Sequence, residues 1–435
     1  MALGGGTFTV QNKQLPGAYI NFVSAASASA ELSERGIATM PLALDWGREK
    51  EVFEVTAEDI QKNSLRLFGY EYTGEKLKGI RDLFKNARTL YAYRLGGGEK
   101  AANAFAKAKY GGSRGNAISI AIAKDAENDK LFQVKTLLDG KEIDVQRAEN
   151  SSGLTDNDFV EFIKDAELAL TAGTPLSGGS DGEISDSDYQ DYLEKIESYS
   201  FNVMGALVSE RAAKELFVSF VKRMRDEMGV KFQLVLHDYP EADYMGVISV
   251  KNEADETEFP KESLVYWVTG AAAGCAVNKS NQNKRYDGEI KVKADYTQSQ
   301  LKAASAGGEF VLHRVGSELR VLEDRNTMRT VSDEQGEVFK DNQTVRVIDQ
   351  IANDVAVLFN TKYLGVVPND NAGRVSLWAD IVKHHEQLRS IRAIENFSDS
   401  DVTVMRGDTK KSVVVNDTVT VVNAMSKLYM TVTVE

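Results

Sequence analysis

A chain of 435 residues, 42% hydrophobic and 27% charged, is long enough for about two to four domains, and no window of it approaches the roughly 20 consecutive apolar residues of a membrane span. Its net charge of -13 opposes a sequence-independent hold on a phosphate backbone, which excludes nucleic acid as the expected partner. The single cysteine, Cys275, excludes an internal disulfide and fits a reducing compartment, and the four histidines, His237, His313, His384 and His385, stand at no metal-ligand spacing, so no metal or other cofactor is expected.

The chain opens on Gly4-Gly5-Gly6, a flexible lead into the alternating Phe8-Thr9-Val10, and Pro16-Gly17 then turns it into a second alternating run, Tyr19-Ile20-Asn21-Phe22. These read as strands on an arm. Residues 25–30 mimic a signal-peptidase site, but no basic region or continuous apolar stretch precedes them, so secretion by that route is not expected. Thr56 is placed to cap a helix beginning Ala57-Glu58-Asp59-Ile60; residues 74–84 carry apolar side chains at helical spacing, and residues 89–95 follow as a strand.

At Gly96-Gly97-Gly98 the character changes. An Ala-rich helix is expected over 101–109, then strands over 117–123 and 131–138 with Asp139-Gly140 as a hairpin turn, and partly helical structure over 156–170. Residues 176–182 are a linker by composition, which makes 96–182 an inserted, mainly β domain. Beyond it Ser185 precedes a helix. Strands are expected over 201–204, 232–237 and 245–250, a helix capped by Ser209 with Ala213, Leu216, Phe220, Met224 and Met228 on one face and Gly229 after its end, and a small-residue helix over 263–277. Such alternation argues a largely parallel sheet with helices on its faces.

A hairpin is expected around Gly316-Ser317. Two long helices follow, one with Ile348, Ile351, Val355 and Leu358 or Phe359 on its stripe, the other with Leu377, Ile381, His385, Leu388 and Ile391. The chain closes on β-branched runs at 402–405, 412–415 and 418–422 and on Leu428-Tyr429-Met430-Thr431-Val432-Thr433-Val434, which Lys, Pro or a bulge would ordinarily blunt if it were an edge strand. This last run reads as a strand meant for another chain's sheet.

Catalytic signals are few. Gly-x-Ser-x-Gly occurs around Ser113 and around Ser180, so a serine hydrolase is the alternative reading, although the nucleophile elbow needs a strand before its serine and a helix after it, and neither match is set that way. No P-loop and no EF-hand calcium loop is present, and the acids over 181–191 suit the start of a helix.

Several stretches in order, Ala106-Lys107-Ala108-Lys109-Tyr110 with Gly115-Asn116, residues 176–182, Trp267 with Gly270 and Gly274, Asn326-Thr327-Met328, Arg346-Val347-Ile348-Asp349, Gly365 with Asn369 and Arg374, and Leu428 to Val432, resemble the contractile tail sheath proteins of phages and phage-tail-like bacteriocins. The resemblance implies a multi-domain α/β fold with a subtilisin-like α/β core without catalytic residues, an inserted β-sandwich domain, and extended N- and C-terminal strand arms. Expected divisions are an N-terminal arm at 1–22, core at 23–95, sandwich at 96–182, subtilisin-like domain at 183–330 and C-terminal sheath domain at 331–435. It implies a structural, non-enzymatic subunit that exchanges strands through Phe8, Thr9, Val10, Tyr19, Ile20, Asn21, Phe22 and Leu428 to Val434. Its implied partners are other copies in hexameric rings and a helical lattice, a tail tube protein, and baseplate and terminator proteins, in a particle assembled in the bacterial cytoplasm.

Overall fold

The computed structural model describes residues 32–434, which divide into two compact units. One holds residues 39–81 and 89–197; the other holds the described residues up to Ala38, Asp82–Arg88 and the chain from Ser198 onward.

In the first unit Val52–Thr56 pairs antiparallel with Thr89–Arg94, register Val55 to Leu90. The helix Ala57–Lys62 starts where the sequence places it, because Thr56 Oγ1 accepts from Asp59 N at 3.1 Å while Thr56 N donates back to the Asp59 carboxylate at 3.1 Å. The insert is a β-sandwich. One layer is an antiparallel sheet in the order Thr171–Pro175, Ile118–Lys124, Phe132–Leu138, Lys141–Ala148; the short pair Ala106–Ala108 and Val160–Phe162 lies across a common core with it. Ile118, Ile120, Ile122, Val134 and Leu138 alternate into that core, and Trp46 joins it, edge-on to Tyr110 at 5.2 Å and stacked on Phe159 at 6.0 Å. Asp139 (φ 51) and Gly140 (φ 75) both take the left-handed conformation that a two-residue hairpin turn requires.

Two expectations fail here. Residues 101–109 form no helix: the Asn103 side chain accepts from Phe105 N and Ala106 N, both at 2.9 Å, and folds the chain into a turn, after which Ala106 and Ala108 are buried and Lys107 exposed in a period of two. The partly helical stretch expected over 156–170 instead contains the strand Val160–Phe162, because Asn157 accepts from Phe159 N and Val160 N and Asp156 from Phe162 N. In both cases a local side-chain acceptor outcompetes helix propensity.

The second unit contains a parallel run of strands, Val203–Gly205, Gln233–His237, Val247–Val250 and Glu309–Phe310, in that spatial order and almost wholly buried. Helix Arg211–Lys222 begins after Glu210 without a side-chain cap, so Ser209 does not cap it. Its buried face is Ala213, Phe217, Val218, Phe220 and Val221, continued by Met224; Leu216 is half-buried and Met228 is exposed. The helix widens into a π-turn, Arg223–Glu227, and Gly229 (φ 80) ends it as expected.

Helix Leu264–Gly274 approaches the backbone of Asp82–Arg88 closely: a Cβ at Gly270 would stand 2.1 Å from the Leu83 carbonyl oxygen, and one at Gly274 2.0 Å from that of Asn86. The lone Cys275 follows it, its thiol donating to the Lys279 carbonyl at 3.4 Å, with burial raising the thiol pKa.

Helices Asn342–Leu358 and Asn371–Ser390 pack with Ile394, Phe397 and Val402 in a separate apolar cluster. On the first, Leu358 of the expected stripe is buried while Ile348, Ile351 and Val355 are only half-buried, and Arg346, Asp349, Gln350 and Asp354, at spacings of three and four, form a buried polar face. Arg225 donates to both Asp349 oxygens at 2.6 and 2.7 Å, Arg346 pairs with Asp324 at 3.2 Å, and Asp354 accepts from Ser33 Oγ at 2.5 Å and meets His384 Nε2 at 2.9 Å. Buried charge is tolerated here because every carboxylate of that face has donors.

Candidate assembly surface

The closing third of the chain builds a surface on these two helices. Val402–Arg406 and Val413–Asp417 form a two-stranded antiparallel hairpin, register Val404 to Val415. Val402 is buried and Val404 and Val413 half-buried against the helices, so the hairpin is anchored by one face. Trp378 Nε1 donates to the Val402 carbonyl at 3.0 Å, and His385, fully buried, sets Nε2 2.8 Å from the Asp417 carboxylate and Nδ1 3.0 Å from the Ile381 carbonyl. Asn369 Nδ2 donates to the Ser412 and Lys410 carbonyls at 2.8 and 3.1 Å, and Arg374 in turn holds Asn369.

The opposite face of the hairpin is open. Met405 and Val414, directly paired across the strands, are exposed there, and the two strands pair with no third strand among the described residues. A two-stranded ribbon with apolar residues on its free face and edges that pair with no other strand among the described residues is a template for a further strand.

The run expected over 418–422 shortens to Thr420–Val421, paired with Ile394–Glu395. Gln343 then clamps the chain at both ends of its amide, donating to the Val422 carbonyl at 3.0 Å and accepting from Ala424 N at 2.9 Å, while Asn423 Nδ2 donates to Thr344 Oγ1 at 3.0 Å. Beyond that clamp Leu428, Tyr429, Met430, Thr431, Val432, Thr433 and Val434 belong to no strand, and Leu428, Tyr429 and Val434 are 84%, 89% and 88% exposed. The other sequence-expected positions, Phe8, Thr9, Val10, Tyr19, Ile20, Asn21 and Phe22, lie outside the described residues.

Neither serine match has the geometry of a nucleophile elbow. Ser113 opens the 3-10 turn Ser113–Ala117 before a strand and donates to Asp181 Oδ2 at 2.8 Å, and Ser180 sits in the two-residue strand Ser180–Asp181 paired with Gly98–Glu99. A cleft of about 510 Å³ at the carboxyl ends of the parallel strands is lined by His237, Asp238, Lys251, Glu253 and Lys293; Lys251 is tied to Glu309 and Lys293 to Glu253, each within 2.9 Å, and the lining has no serine or cysteine. No grouping of His, Cys, Asp or Glu among the described residues is placed to hold a metal ion, and no helix among them is long and apolar enough to cross a membrane.

The fold defines a multi-domain α/β protein with a β-sandwich domain. Four family descriptions match along the chain: tail sheath protein Gp18 domain III N-terminal region at 35–95, phage tail sheath protein beta-sandwich domain at 96–181, phage tail sheath protein central domain at 182–327 and phage tail sheath C-terminal domain at 334–435. The phage-like element PBSX protein XkdK of Bacillus subtilis is 31% identical over 99% of this chain and 100% of its own length. A solved sheath tail protein from Desulfitobacterium hafniense is 35% identical, with a TM-score of 0.83 over 95% of this chain and 99% of that one. The contracted helical sheath of the anti-feeding prophage shares the fold, with a TM-score of 0.57 over 97% of this chain and 99% of that one at 12% identity. The chain belongs to the phage tail sheath family.

Proposed function

We propose that this sheath subunit polymerises by strand exchange, residues 428–434 of one copy adding to the open hairpin Val402–Arg406 and Val413–Asp417 of another. The observation that carries the reading is the run of large apolar side chains from Leu428 to Val434, from 69% exposed at Val432 to 89% at Tyr429, with no strand of the described residues beside it. A strand of about six residues adds roughly five backbone hydrogen bonds, each contributing on the order of 1 kcal/mol net, plus burial of alternate side chains. One such joint is weak; repeated at every subunit, the joints act at high effective concentration and hold a lattice.

In this reading the N-terminal positions Phe8 to Val10 and Tyr19 to Phe22 supply a second visiting strand. Rings of six copies stack around a tail tube and end at baseplate and terminator proteins, in a phage or a bacteriocin-like particle assembled in the bacterial cytoplasm. The chain divides its labour as arm 1–22, core 23–95, sandwich 96–182, a subtilisin-like domain 183–330 that has lost catalysis, and sheath domain 331–435. Tethered joints let the bodies slide between an extended and a contracted packing, and the preference for the contracted one comes from contacts between bodies.

Deleting residues 428–435 tests the mechanism. The truncated chain is expected to keep the thermal transition and circular dichroism of the full chain while forming no tubes by negative-stain microscopy; tubes of ordinary length from the truncated chain would overturn strand exchange.

A further inference from the structure

Beneath the first described residues lies a polar cavity of about 20 Å³, lined by Arg35, Asn202, Lys231, Arg346 and Asp349 among others. That volume admits one water or one monatomic ion and no polyatomic anion. Its lining is unbalanced in charge. Asp349 is the one carboxylate, and both of its oxygens are already taken by Arg225 at 2.6 and 2.7 Å. Arg35 makes no ion pair among the described residues; it donates from Nε to the Cys275 carbonyl at 2.9 Å and from NH2 to that of Ala272 at 3.3 Å, at the end of helix Leu264–Gly274.

The spare hydrogen-bonding capacity has the same sign. Arg346, 1% exposed, spends NH1 on the Lys279 carbonyl at 2.9 Å and NH2 on Asp324 at 3.2 Å, and its fully buried Nε has no partner among the described residues. Asn202 Oδ1 accepts from Gly36 N at 2.9 Å and Ile37 N at 3.0 Å, which leaves its Nδ2 donors unused. A buried donor without an acceptor costs about 1–3 kcal/mol, more when charged.

We propose that this cavity binds a single halide ion, chloride under cellular conditions, held by Arg346 Nε, Asn202 Nδ2 and the surplus charge of Arg35 and Lys231. Burial, and next the neighbouring Arg346, push the Arg35 pKa down to about 9, as expected where a cation lacks a counterion. The ion sits where Ser33 and Arg35 cross helix Asn342–Leu358, with Ser33 Oγ on Asp354 at 2.5 Å and Gln350 Nε2 on Ser33 Oγ at 2.6 Å, so it ties the root of the N-terminal segment to the body.

The test is the melting temperature of the full chain in sodium chloride, sodium bromide and sodium gluconate at matched ionic strength, with bromide anomalous scattering from crystals. Chloride and bromide, but not gluconate, are expected to raise melting, by about a 100-fold shift in the folding equilibrium when the halide reaches 100 times its dissociation constant, and a bromide peak is expected in the cavity. Asn202→Asp keeps an acceptor for Gly36 N and Ile37 N and places a fixed negative charge in the cavity, so its melting is expected to be independent of chloride; Arg35→Met removes one of the two surplus charges and is expected to weaken the chloride response. Equal melting of the unaltered chain in all three salts, a cavity holding water only, or an unchanged chloride response in either folded variant would overturn the proposal.

Discussion

Asp349 shows what a buried pair demands of a single residue. Its carboxylate is 5% exposed and Arg225 is 1% exposed, so truncating one partner leaves the other charged and unpaired in the interior. Asp349→Ala is expected to destabilise the second unit by about 3–5 kcal/mol, read as a shifted urea midpoint. Asp354 carries a pH signature. Burial by itself would raise its pKa, but donation from His384, Ser33 and Gln350 prevails and holds the carboxyl below its ordinary value. A depressed carboxyl adds stability that is complete above the unfolded value of about 3.9 and is lost as pH falls through the folded value. Acid unfolding of Asp354→Asn is therefore expected to take up as much as about one proton fewer than that of the parent, measured from the slope of unfolding free energy against pH between about 2 and 6.

At the scale of elements, the helix Leu264–Gly274 owes its seat to missing side chains. Gly270→Ala places a methyl within 2.1 Å of a carbonyl oxygen, which neither backbone can avoid without moving, and is expected to cost about 1–3 kcal/mol or more, visible as a lower melting temperature. Gly316→Ala, with nothing within 4 Å of its added methyl but a φ of 62, is expected to cost less, through backbone strain alone. This helix was legible, since Gly270, Ala271, Ala272, Ala273 and Gly274 in one run announce close packing. So were the Thr56 and Ser185 helix starts, the Asp139-Gly140 turn and the parallel strands, all set by neighbours in sequence. The Ala-rich 101–109 misled because alanine's preference for helix is weaker than the two hydrogen bonds that Asn103 Oδ1 accepts. The buried polar face of Asn342–Leu358 was missed for a different reason: Arg225, Asp324, Ser33 and His384 reach it from distant points of the chain, and the half-buried Ile348, Ile351 and Val355 offered the more familiar stripe. Arg346, Asp349 or Gln350, and Asn353 or Asp354 at helical spacing were the signal available.

For the whole molecule, charge and the free tail pull in opposite directions. Copies that each carry -13 repel, and the repulsion is screened over about 10 Å at 0.1 M salt and about 30 Å at 0.01 M. Tube formation in vitro is therefore expected to quicken from about 0.01 to 0.15 M salt, followed by light scattering, whereas assembly driven by opposite charges would slow. The apolar run 428–434 stands out in the sequence, but the bare outer face of the hairpin does not, because residues 402–405 and 412–415 look alike in sequence whether that face is covered or bare.

The clamp at Gln343 decides where a pull on the tail is felt. Tension entering at Leu428 meets no backbone ladder before Ala424; it arrives on one side-chain amide rooted in the first turn of helix Asn342–Leu358 and is passed down that rod to the Arg225 and Asp354 pairings. A load on the tail would thus be borne by the buried pairings of that helix rather than by the exposed ribbon, and the Ala424 contact would be the first to give way.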